Sequence, residues 1–428
     1  LIAGRRAGPT ASRTALAAEG AAVEEVYQKH WREGIVNLAP GLPHWGPPQA
    51  CAAALAEVAK PAVFAQRTWH EYGDLCGHPR LLAAIQRKLE AENGLNMLDR
   101  RIMVTTGANQ AYLNAVMATC APGDALLVFA PYYFTHVVAA QLLDVEVRVG
   151  ACNLETMFPD VRAVDEAVRA LGDRLKAVVV CSPGNPSGAV LPEPLLRDLC
   201  SACETAGLWL IADEAYEHFV FDDAAHWSPR GPNVLNIFTM SKSYGMAGWR
   251  VGYLTYPEHL HLVLLKIQDT VPTHATTMAQ EMAAVALQAG STWVRERVNA
   301  LAPVRDAIWE AVSTTLERGH SGVASVRGKG ALYAFVRLPG GVDDADAVRI
   351  LAEHGVLVIP GSAAGMPGHL RVSFASIPPA TQACADAISA FRLGLAAIAA
   401  VSQTQSSLPL AAQASHVSGT MSSERRGM

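Results

Sequence analysis

The chain has 428 residues, of which half are hydrophobic and 17% are charged, and this suits two globular domains. Its formal net charge of −5 gives no reason to expect nucleic acid or a membrane surface as partner. Eight scattered cysteines predict reduced thiols, for which we expect a cytoplasmic location. The lone C-x-x-C at Cys200 and Cys203 is typical of a helix face, so no metal site is expected. No apolar run predicts a membrane-spanning helix.

Composition divides the chain into five segments. The first 20 residues carry Arg5, Arg6 and Arg13, and we expect a disordered extension, with the remnant of an organelle-targeting sequence as the alternative. The end of the chain is rich in Ser, Gln, Ala and Gly and predicts a disordered tail. The expected segments are the extension (1–20), a segment joining the small domain (21–50), a large domain (51–290), a small C-terminal domain (291–398) and the tail (399–428).

Short apolar or β-branched runs alternate with helical patterns in the middle of the chain, as in an α/β protein with a parallel sheet. Strands are predicted at 102–106, 125–129, 145–149, 177–181, 208–212 and 234–238. They lack strict polar alternation, as strands buried on both faces should. A doubly wound sheet binds its ligand beyond the C-terminal ends of such strands. The residues that follow the strands and carry chemistry are Gly107, Tyr133, Asn185, Asp213 and Lys242.

The flanking regions are mainly helical. Helical patterns are predicted at 21–32, 49–58, 78–93 and 280–317. Strand-like runs at 332–337, 356–359 and 370–374 then enclose another helix. This arrangement predicts a smaller α+β domain after the sheet.

The segment 239–253 carries the strongest chemical signal. It places Thr239, Ser241, Lys242 and Arg250 in a Gly-rich turn. Hydroxyls and a guanidinium can converge on a phosphate, and a neighbouring lysine amine forms an imine with an aldehyde. Pyridoxal 5′-phosphate carries both groups, so the segment predicts a site for this cofactor. A polar turn with a solvated lysine and arginine is the alternative.

Two other strand ends supply matching groups. Asp213 ends a buried strand, where a carboxylate needs a partner such as a protonated pyridine nitrogen. Tyr216 is placed to bond the phenolic oxygen of the same ring. Asn185 stands in a loop fixed by two prolines and two glycines, where its amide can serve the ring oxygen and a substrate carboxylate. A helix-capping Asp and an Asn-Pro turn are the alternatives.

Three further signals are weaker when read alone. Gly107, Ala108 and Asn109 open a helix after a strand and offer backbone N–H groups to a phosphate. Tyr133 is placed to stack on a ring face, although an aromatic residue after a strand is more often part of a core. Arg371 interrupts an apolar strand, which suits a carboxylate-binding fork and equally an arginine on a surface strand.

Together these residues resemble the class I and II aminotransferases of the aspartate aminotransferase superfamily, over roughly residues 30–395. The motifs occur in the family's order: Tyr72, Gly107-Ala108-Asn109, Tyr133, Asn185-Pro186-Ser187-Gly188, Asp213 with Tyr216, Ser241-Lys242, Arg250 and Arg371. The resemblance implies a pyridoxal-phosphate enzyme of fold type I, with a mostly parallel seven-stranded sheet and a smaller α+β domain. It also implies a homodimer with active sites at the subunit interface.

The resemblance assigns a role to each candidate. Lys242 holds the cofactor covalently and moves the proton, Asp213 pairs with the ring nitrogen, Tyr216 and Asn185 bind the ring oxygen, and Tyr133 stacks on the ring. The phosphate is held by Gly107, Ala108, Asn109, Thr239, Ser241 and Arg250, with Tyr72 of the partner subunit. Arg371 takes the substrate α-carboxylate, helped by the backbone near Gly41.

A narrower resemblance, carried by stretches such as His44-Trp45 and 131–134, is to plant aromatic and methionine aminotransferases that use phenylpyruvate or indole-pyruvate as acceptor. The loop 41–45 contains no Lys or Arg, which favours apolar side chains over dicarboxylates. A C–S lyase or an aminocyclopropane-carboxylate synthase on the same fold would keep almost every residue. A non-catalytic regulator would need a DNA-binding domain, for which the residues before 36 offer no room.

Overall fold

The chain folds around a seven-stranded sheet and a smaller three-stranded sheet in a computed structural model that describes residues 11–318 and 324–406. The strands are β1 (Val36–Asn37), β2 (Arg100–Thr105), β3 (Ala125–Phe129), β4 (Glu146–Gly150), β5 (Leu175–Cys181), β6 (Trp209–Asp213), β7 (Val234–Thr239), β8 (Gly252–Pro257), β9 (Tyr333–Arg337), β10 (Val356–Leu357), β11 (Ile359–Pro360) and β12 (His369–Ser373). The helices are α1 (Arg13–Ala17), α2 (Ala22–His30), α3 (Gln49–Val58), α4 (Pro61–Phe64), α5 (Pro79–Ala91), α6 (Ala108–Thr119), α7 (Phe134–Leu142), α8 (Arg162–Leu171), α9 (Glu193–Thr205), α10 (His261–Thr270), α11 (Thr277–Leu287), α12 (Gly290–Asn299), α13 (Ala302–Val312), α14 (Asp344–Glu353) and α15 (Gln382–Ser406).

The central sheet has the strand order β2-β8-β7-β6-β5-β3-β4. The strands from β7 to β4 are parallel, and β8 runs antiparallel to both of its neighbours. Every residue of β3, β7 and β8 is buried, which explains why these strands do not alternate strictly between apolar and polar residues. The mostly parallel seven-stranded sheet predicted from the sequence is therefore confirmed.

Helices cover both faces of this sheet. Successive side chains of β3 point to opposite faces. Leu126 and Val128 pack with residues of α6, α7 and α10, whereas Leu127 and Phe129 pack with residues of α8 and α9. Cys203 on α9 packs in the same cluster as Leu127 and Phe129, so this cysteine of the C-x-x-C lies on a helix face as predicted. A sheet covered in this way leaves its C-terminal edge as the place for a ligand.

The smaller domain is an antiparallel sheet, β11-β12-β9, against which α13 and α14 pack, and α15 packs on both helices. The N-terminal segment joins this domain because β1 pairs in parallel with β10, with Val36 opposite Val356. The smaller α+β domain predicted from the sequence is confirmed. The loop after β1 leads from this domain towards the edge of the central sheet, which prepares the site described below.

Two terminal segments differ from the sequence expectation. Within 1–20, where a disordered extension was expected, Arg13–Ala17 form α1 and pack against α7. Within 399–428, where a disordered tail was expected, α15 continues to Ser406. The remaining parts of both expectations, 1–10 and 407–428, lie outside the described residues.

Among the described residues one helix, α15, is long and mostly apolar, although Asp386 and Arg392 interrupt its apolar run. Its part Gln382–Gln403 is long and apolar enough, by length and composition, to cross a bilayer. In the structure Phe391, Leu395 and Ile398 are fully buried, and the helix packs against α13 and α14. The apolar character of α15 is therefore explained by its place in the core of the smaller domain.

A buried ion pair ties α5 to the turn that follows β6. The side chains of Lys88 and Glu217 are only 5% and 8% exposed, and Asn93 donates to Glu217 at 2.8 Å. The Lys88 ammonium also lies 4.5 Å from the centre of the Phe238 ring on β7. Burial opposes the charge of Glu217, but Lys88, His218 and Asn93 together lower its pKa to about 2.

We predict that Glu217→Gln lowers the free energy of unfolding by about 3–5 kcal/mol near neutral pH, because Lys88 would be buried without a counter-charge. The carboxylate's contribution is fully present above the ordinary glutamate pKa and is lost as the pH falls towards its folded value of about 2. The difference in the free energy of unfolding between the variant and the wild type should therefore become smaller in acid. Urea unfolding at about pH 7 and about pH 3 measures both effects.

The matched control is Glu57→Gln, which removes an ion pair with Lys60 whose side chains are 60% and 62% exposed. This change should stay within about 0.5 kcal/mol, because exposed pairs contribute little. Equal losses in the two variants would show that the buried pair has no special weight.

Candidate active site

Lys242 lies at the C-terminal edge of the sheet, in the turn that follows β7. Its Nζ donates to the carbonyl oxygen of Gly41 at 2.5 Å and lies 5.9 Å from the centre of the Tyr216 ring. Burial and the charges of Arg371 and Arg250 lower its pKa to about 8, with Asp213 acting in the opposite direction. A substantial fraction of the amine is therefore neutral and nucleophilic at physiological pH.

Arg250 faces the glycine turn before α6. Its backbone is left-handed, with φ of +55°, which is rare outside glycine and is the kind of strain found at functional sites. Its guanidinium donates to the carbonyl oxygens of Ala247 and Thr106 at 2.8 and 3.3 Å. A Cβ on Gly107, whose φ is +83°, would lie 2.4 Å from this guanidinium, so the close approach requires glycine.

The N-terminus of α6 completes an anion pocket with this guanidinium. The helix starts at Ala108 with no side-chain cap, so its first backbone N–H groups are available. Gly252 pairs with Thr239 at the end of β7. A Cβ atom on Gly252 would lie only 2.7 Å from the Ala108 nitrogen, so the end of β7 lies close to the start of α6. The Thr239 hydroxyl donates to the Ser241 hydroxyl at 2.9 Å. Two hydroxyls, helix N–H groups and an arginine suit a phosphate.

Asp213 ends β6 and is 6% exposed. One carboxylate oxygen lies 3.0 Å from His136 Nε2, and the other accepts from the Ala215 N–H at 3.0 Å. A turn, not a helix, follows Asp213, so the helix-capping alternative is wrong. A buried carboxylate held in this way is suited to be the counter-charge of a protonated ring nitrogen.

Arg371 lies on β12 and is 4% exposed, so the surface-strand alternative is wrong. Its guanidinium donates to Asn185 Oδ1 at 3.1 Å and to the Ala39 carbonyl at 2.8 Å, while its buried Nε has no hydrogen-bond partner. The rings of Phe134 and Tyr333 lie 5.6 and 4.8 Å from the guanidinium carbon. A buried guanidinium fork whose Nε donor is unused suits a carboxylate ligand.

The other candidates fall into two groups. The Tyr133 hydroxyl donates to Asn109 at 3.5 Å, and its ring lies 5.3 Å from that of His136, beside Asp213. Tyr72, in contrast, is 84% exposed and its ring lies against His274. The structure therefore brings Tyr133 and Asn109 to the site of this chain and leaves Tyr72 outside it.

Sequence reasoning missed several contributors. His136 was not singled out, because a single histidine in an apolar helix is more often a core residue. The Tyr333 hydroxyl lies 2.7 Å from that of Tyr216, a contact that the sequence pattern does not indicate. The carbonyl that accepts from Arg371 belongs to Ala39, and that of Gly41 accepts from Lys242 instead. Backbone contacts of this kind leave no side-chain signal in a sequence.

The donor set fits pyridoxal phosphate. The amine of lowered pKa matches the cofactor's aldehyde, and the anion pocket matches its phosphate. The buried carboxylate matches the ring nitrogen, and the arginine with an unpartnered Nε matches the carboxylate of a substrate. These groups come from β6, β7, β12 and the start of α6, so the parallel sheet and the smaller domain both contribute to the site.

Comparisons with known proteins agree with this geometry. The sequence profile described as aminotransferase class I and II matches residues 33–387. An aromatic aminotransferase of Arabidopsis thaliana is 40% identical over 348 residues, covering 80% of this chain and 85% of that protein. An aspartate/prephenate aminotransferase of Thermus thermophilus is 31% identical, and the match covers 81% of this chain and 88% of that protein.

Solved structures give the same result. The aspartate aminotransferase from Thermus thermophilus with maleate superposes with a TM-score of 0.80 and 28% identity, covering 90% of this chain and all of that one. The aromatic aminotransferase from Pyrococcus horikoshii superposes with a TM-score of 0.74 and 27% sequence identity. The match covers 87% of this chain and 98% of that one. The chain belongs to the class I and II aminotransferase family and has its fold, as the motifs predicted. It is an aminotransferase, similar to a plant aromatic aminotransferase.

Proposed function

We propose that the protein is a pyridoxal-phosphate-dependent aminotransferase that moves an amino group between an aromatic amino acid or methionine and a 2-oxo acid. An aromatic 2-oxo acid such as phenylpyruvate or indole-pyruvate is the proposed acceptor. The observation that carries the proposal is the position of Lys242, whose pKa is lowered to about 8 between Arg250 and Arg371. The 40% identical plant relative, named an aromatic aminotransferase, supports the choice of substrate.

Each residue of the site has a role in this proposal. Pyridoxal phosphate, when bound, supplies an electron sink that makes the Cα–H bond of an amino acid acidic. Arg250, Ser241 and Thr239 hold the phosphate, with the start of α6 over 107–109. Tyr133 stacks on the ring.

Lys242 and Asp213 do the proton work. The neutral amine of Lys242 would take a proton from the Cα of the amino-acid donor and, as an ammonium group, would give a proton to the Cα of the amino acid formed from the 2-oxo acid. The Asp213 carboxylate, oriented by His136, keeps the ring nitrogen protonated by charge pairing. Asn185 and Tyr216 bind the ring oxygen.

The rings around Arg371 and the loop 41–45 are the parts of the site that favour an apolar substrate side chain, since the loop carries no Lys or Arg. The Arg371 guanidinium, which would take the α-carboxylate, lies against the rings of Phe134 and Tyr333. In the loop 41–45, Trp45 stacks at 6.1 Å on Phe219 and offers aromatic surface. Burial and Arg297 lower the pKa of His44, partly offset by a backbone hydrogen bond, so this histidine adds no positive charge near neutral pH. An unpaired second carboxylate would be unfavourable here.

We also propose a cytoplasmic homodimer. The 84% exposure of Tyr72 supports a role in the site of a second copy, where it would contact the phosphate. Apolar side chains at Leu55 and Phe64 are exposed on the same stretch of chain and would be covered by such a partner. The eight free cysteines support a reducing compartment.

We predict that Lys242→Ala abolishes covalent attachment of the cofactor and lowers turnover by at least about 10³-fold, because both the amine and the proton carrier are lost. Borohydride reduction of the wild type, followed by peptide mass analysis, should find the cofactor on the peptide that contains Lys242. The exposed Lys266 on α10 provides the control, since Lys266→Ala should keep both attachment and rate. A Lys242→Ala variant that transaminates normally would refute the assignment.

Substrate choice is a separate prediction. With phenylpyruvate as acceptor, or indole-pyruvate where phenylalanine is the donor, kcat/KM for phenylalanine, tryptophan or methionine should exceed that for aspartate at least about tenfold, which is about 1.4 kcal/mol. The reason is that the loop 41–45 has no cation for a second carboxylate. Steady-state kinetics with the four donors measure the ratio.

A charge placed in the same loop gives the matched test. Leu42 is 40% exposed, so Leu42→Arg is tolerated and should raise kcat/KM for aspartate, whereas Leu42→Met should not. If wild type prefers aspartate, the apolar interpretation of the pocket is wrong, even where the cofactor is attached to Lys242.

A further inference from the structure

Two buried tyrosine hydroxyls meet between the domains. Tyr216, in the turn after β6, is 4% exposed, and Tyr333, at the start of β9, is 3% exposed. Their oxygens lie 2.7 Å apart, and the rings are arranged edge to face at 5.7 Å. The bond therefore joins the large domain, which carries Lys242, to the small-domain sheet, which carries Arg371.

Either hydroxyl can donate in this hydrogen bond, and the surroundings favour one direction. The Arg371 guanidinium carbon lies 4.8 Å from the centre of the Tyr333 ring. Burial raises the pKa of Tyr333, but Arg371 and the bond to Tyr216 oppose the rise. The pKa of Tyr216 is raised well above its ordinary value, by burial first and then by Tyr333. The positive charge of Arg371 against the Tyr333 ring polarises the Tyr333 O–H and favours Tyr333 as the donor, which leaves the proton of Tyr216 for another acceptor.

The space around the pair is limited. A Cβ on Gly41 would lie 1.8 Å from the Tyr333 oxygen and 3.3 Å from the Tyr216 oxygen, so the loop passes directly over both hydroxyls. The carbonyl of Gly41 accepts from Lys242. The titratable groups that face the pair from the neighbouring elements are Tyr133, Cys181, Lys242 and Arg371.

We propose that Tyr333 is a positioning residue that donates to Tyr216 and thereby directs the Tyr216 proton at the phenolic oxygen of the cofactor. The inference rests on the proposed function, because it needs a cofactor ring beside Tyr216. A hydroxyl that accepts one hydrogen bond becomes a stronger donor in the next. Through the same residue, the ring oxygen is linked to the arginine that takes the substrate carboxylate.

The proposal predicts a spectroscopic effect. A donor to the phenolic oxygen stabilises its negative charge and lowers the pKa of the nitrogen that joins Lys242 to the cofactor. Loss of that donor in Tyr216→Phe should raise this pKa by about one to two units. Tyr333→Phe should raise it by roughly half a unit, because Tyr216 remains but is a weaker donor. Absorbance of the holoenzyme against pH measures each value.

The double variant decides whether Tyr333 acts through Tyr216. Tyr216→Phe with Tyr333→Phe should titrate like Tyr216→Phe alone, because the two residues form one chain. Tyr333→Phe keeps the ring that lies against Arg371, so KM for phenylpyruvate should stay within about twofold. The control is Tyr256→Phe, which removes another buried hydroxyl bonded to His261 and should leave the titration unchanged.

The outcomes separate the two proposals. If mass analysis finds no cofactor on Lys242 of the wild type, the proposed function fails and the role of Tyr333 fails with it. If the cofactor is attached but Tyr333→Phe titrates like wild type, Tyr333 is only a packing residue. Fully additive shifts in the double variant would also overturn the inference, because Tyr333 would then act independently of Tyr216.

Discussion

The constraint on which the site depends is the charge balance around Lys242. Desolvation and then the charges of Arg371 and Arg250 disfavour the proton of this amine, whereas Asp213 favours it. The net result is that the pKa of this amine is lowered to about 8. The two arginines also divide the site, since Arg250 faces the start of α6 and Arg371 lies in the smaller domain. One end is thus prepared for a phosphate and the other for a carboxylate.

The fold holds these charges through one N-terminal segment. Residues of β1 pair with β10. Leu38, which follows β1, accepts at its carbonyl oxygen from the N–H of Ser373 at the end of β12, at 2.8 Å. The next carbonyls accept from the site, that of Ala39 from Arg371 and that of Gly41 from Lys242. Trp45 then donates to the Ser243 carbonyl at 3.3 Å. The segment 36–45 therefore links the small-domain sheet to the turn that carries Lys242. This link fixes the spacing between Arg371 and Lys242.

Much of this could be predicted from the sequence, because a parallel sheet gathers whatever follows its strands. Lys242, Asp213 and Asn185 each stand just after a buried apolar run, and that pattern is local. The contribution of His136 could not be found in this way, since it comes from the first turns of α7 and its partner is 77 residues away. The Tyr216–Tyr333 bond joins positions 117 apart, and no periodicity links them. Tyr72 is 84% exposed and lies outside the site of its own chain, and the role proposed for it needs a second chain, which one sequence does not describe.

The most direct test of this account is the titration of Lys242 itself. Competitive acetylation of protein from which bound cofactor has been removed, followed by peptide mass analysis across a range of pH, gives the midpoint for individual lysines. The account predicts a midpoint of about 8 for Lys242, and an upward movement in Arg250→Met because one opposing charge is gone. Lys60, whose side chain is 62% exposed, serves as the internal reference. Labelling of Lys242 with the same midpoint as Lys60 would contradict the account.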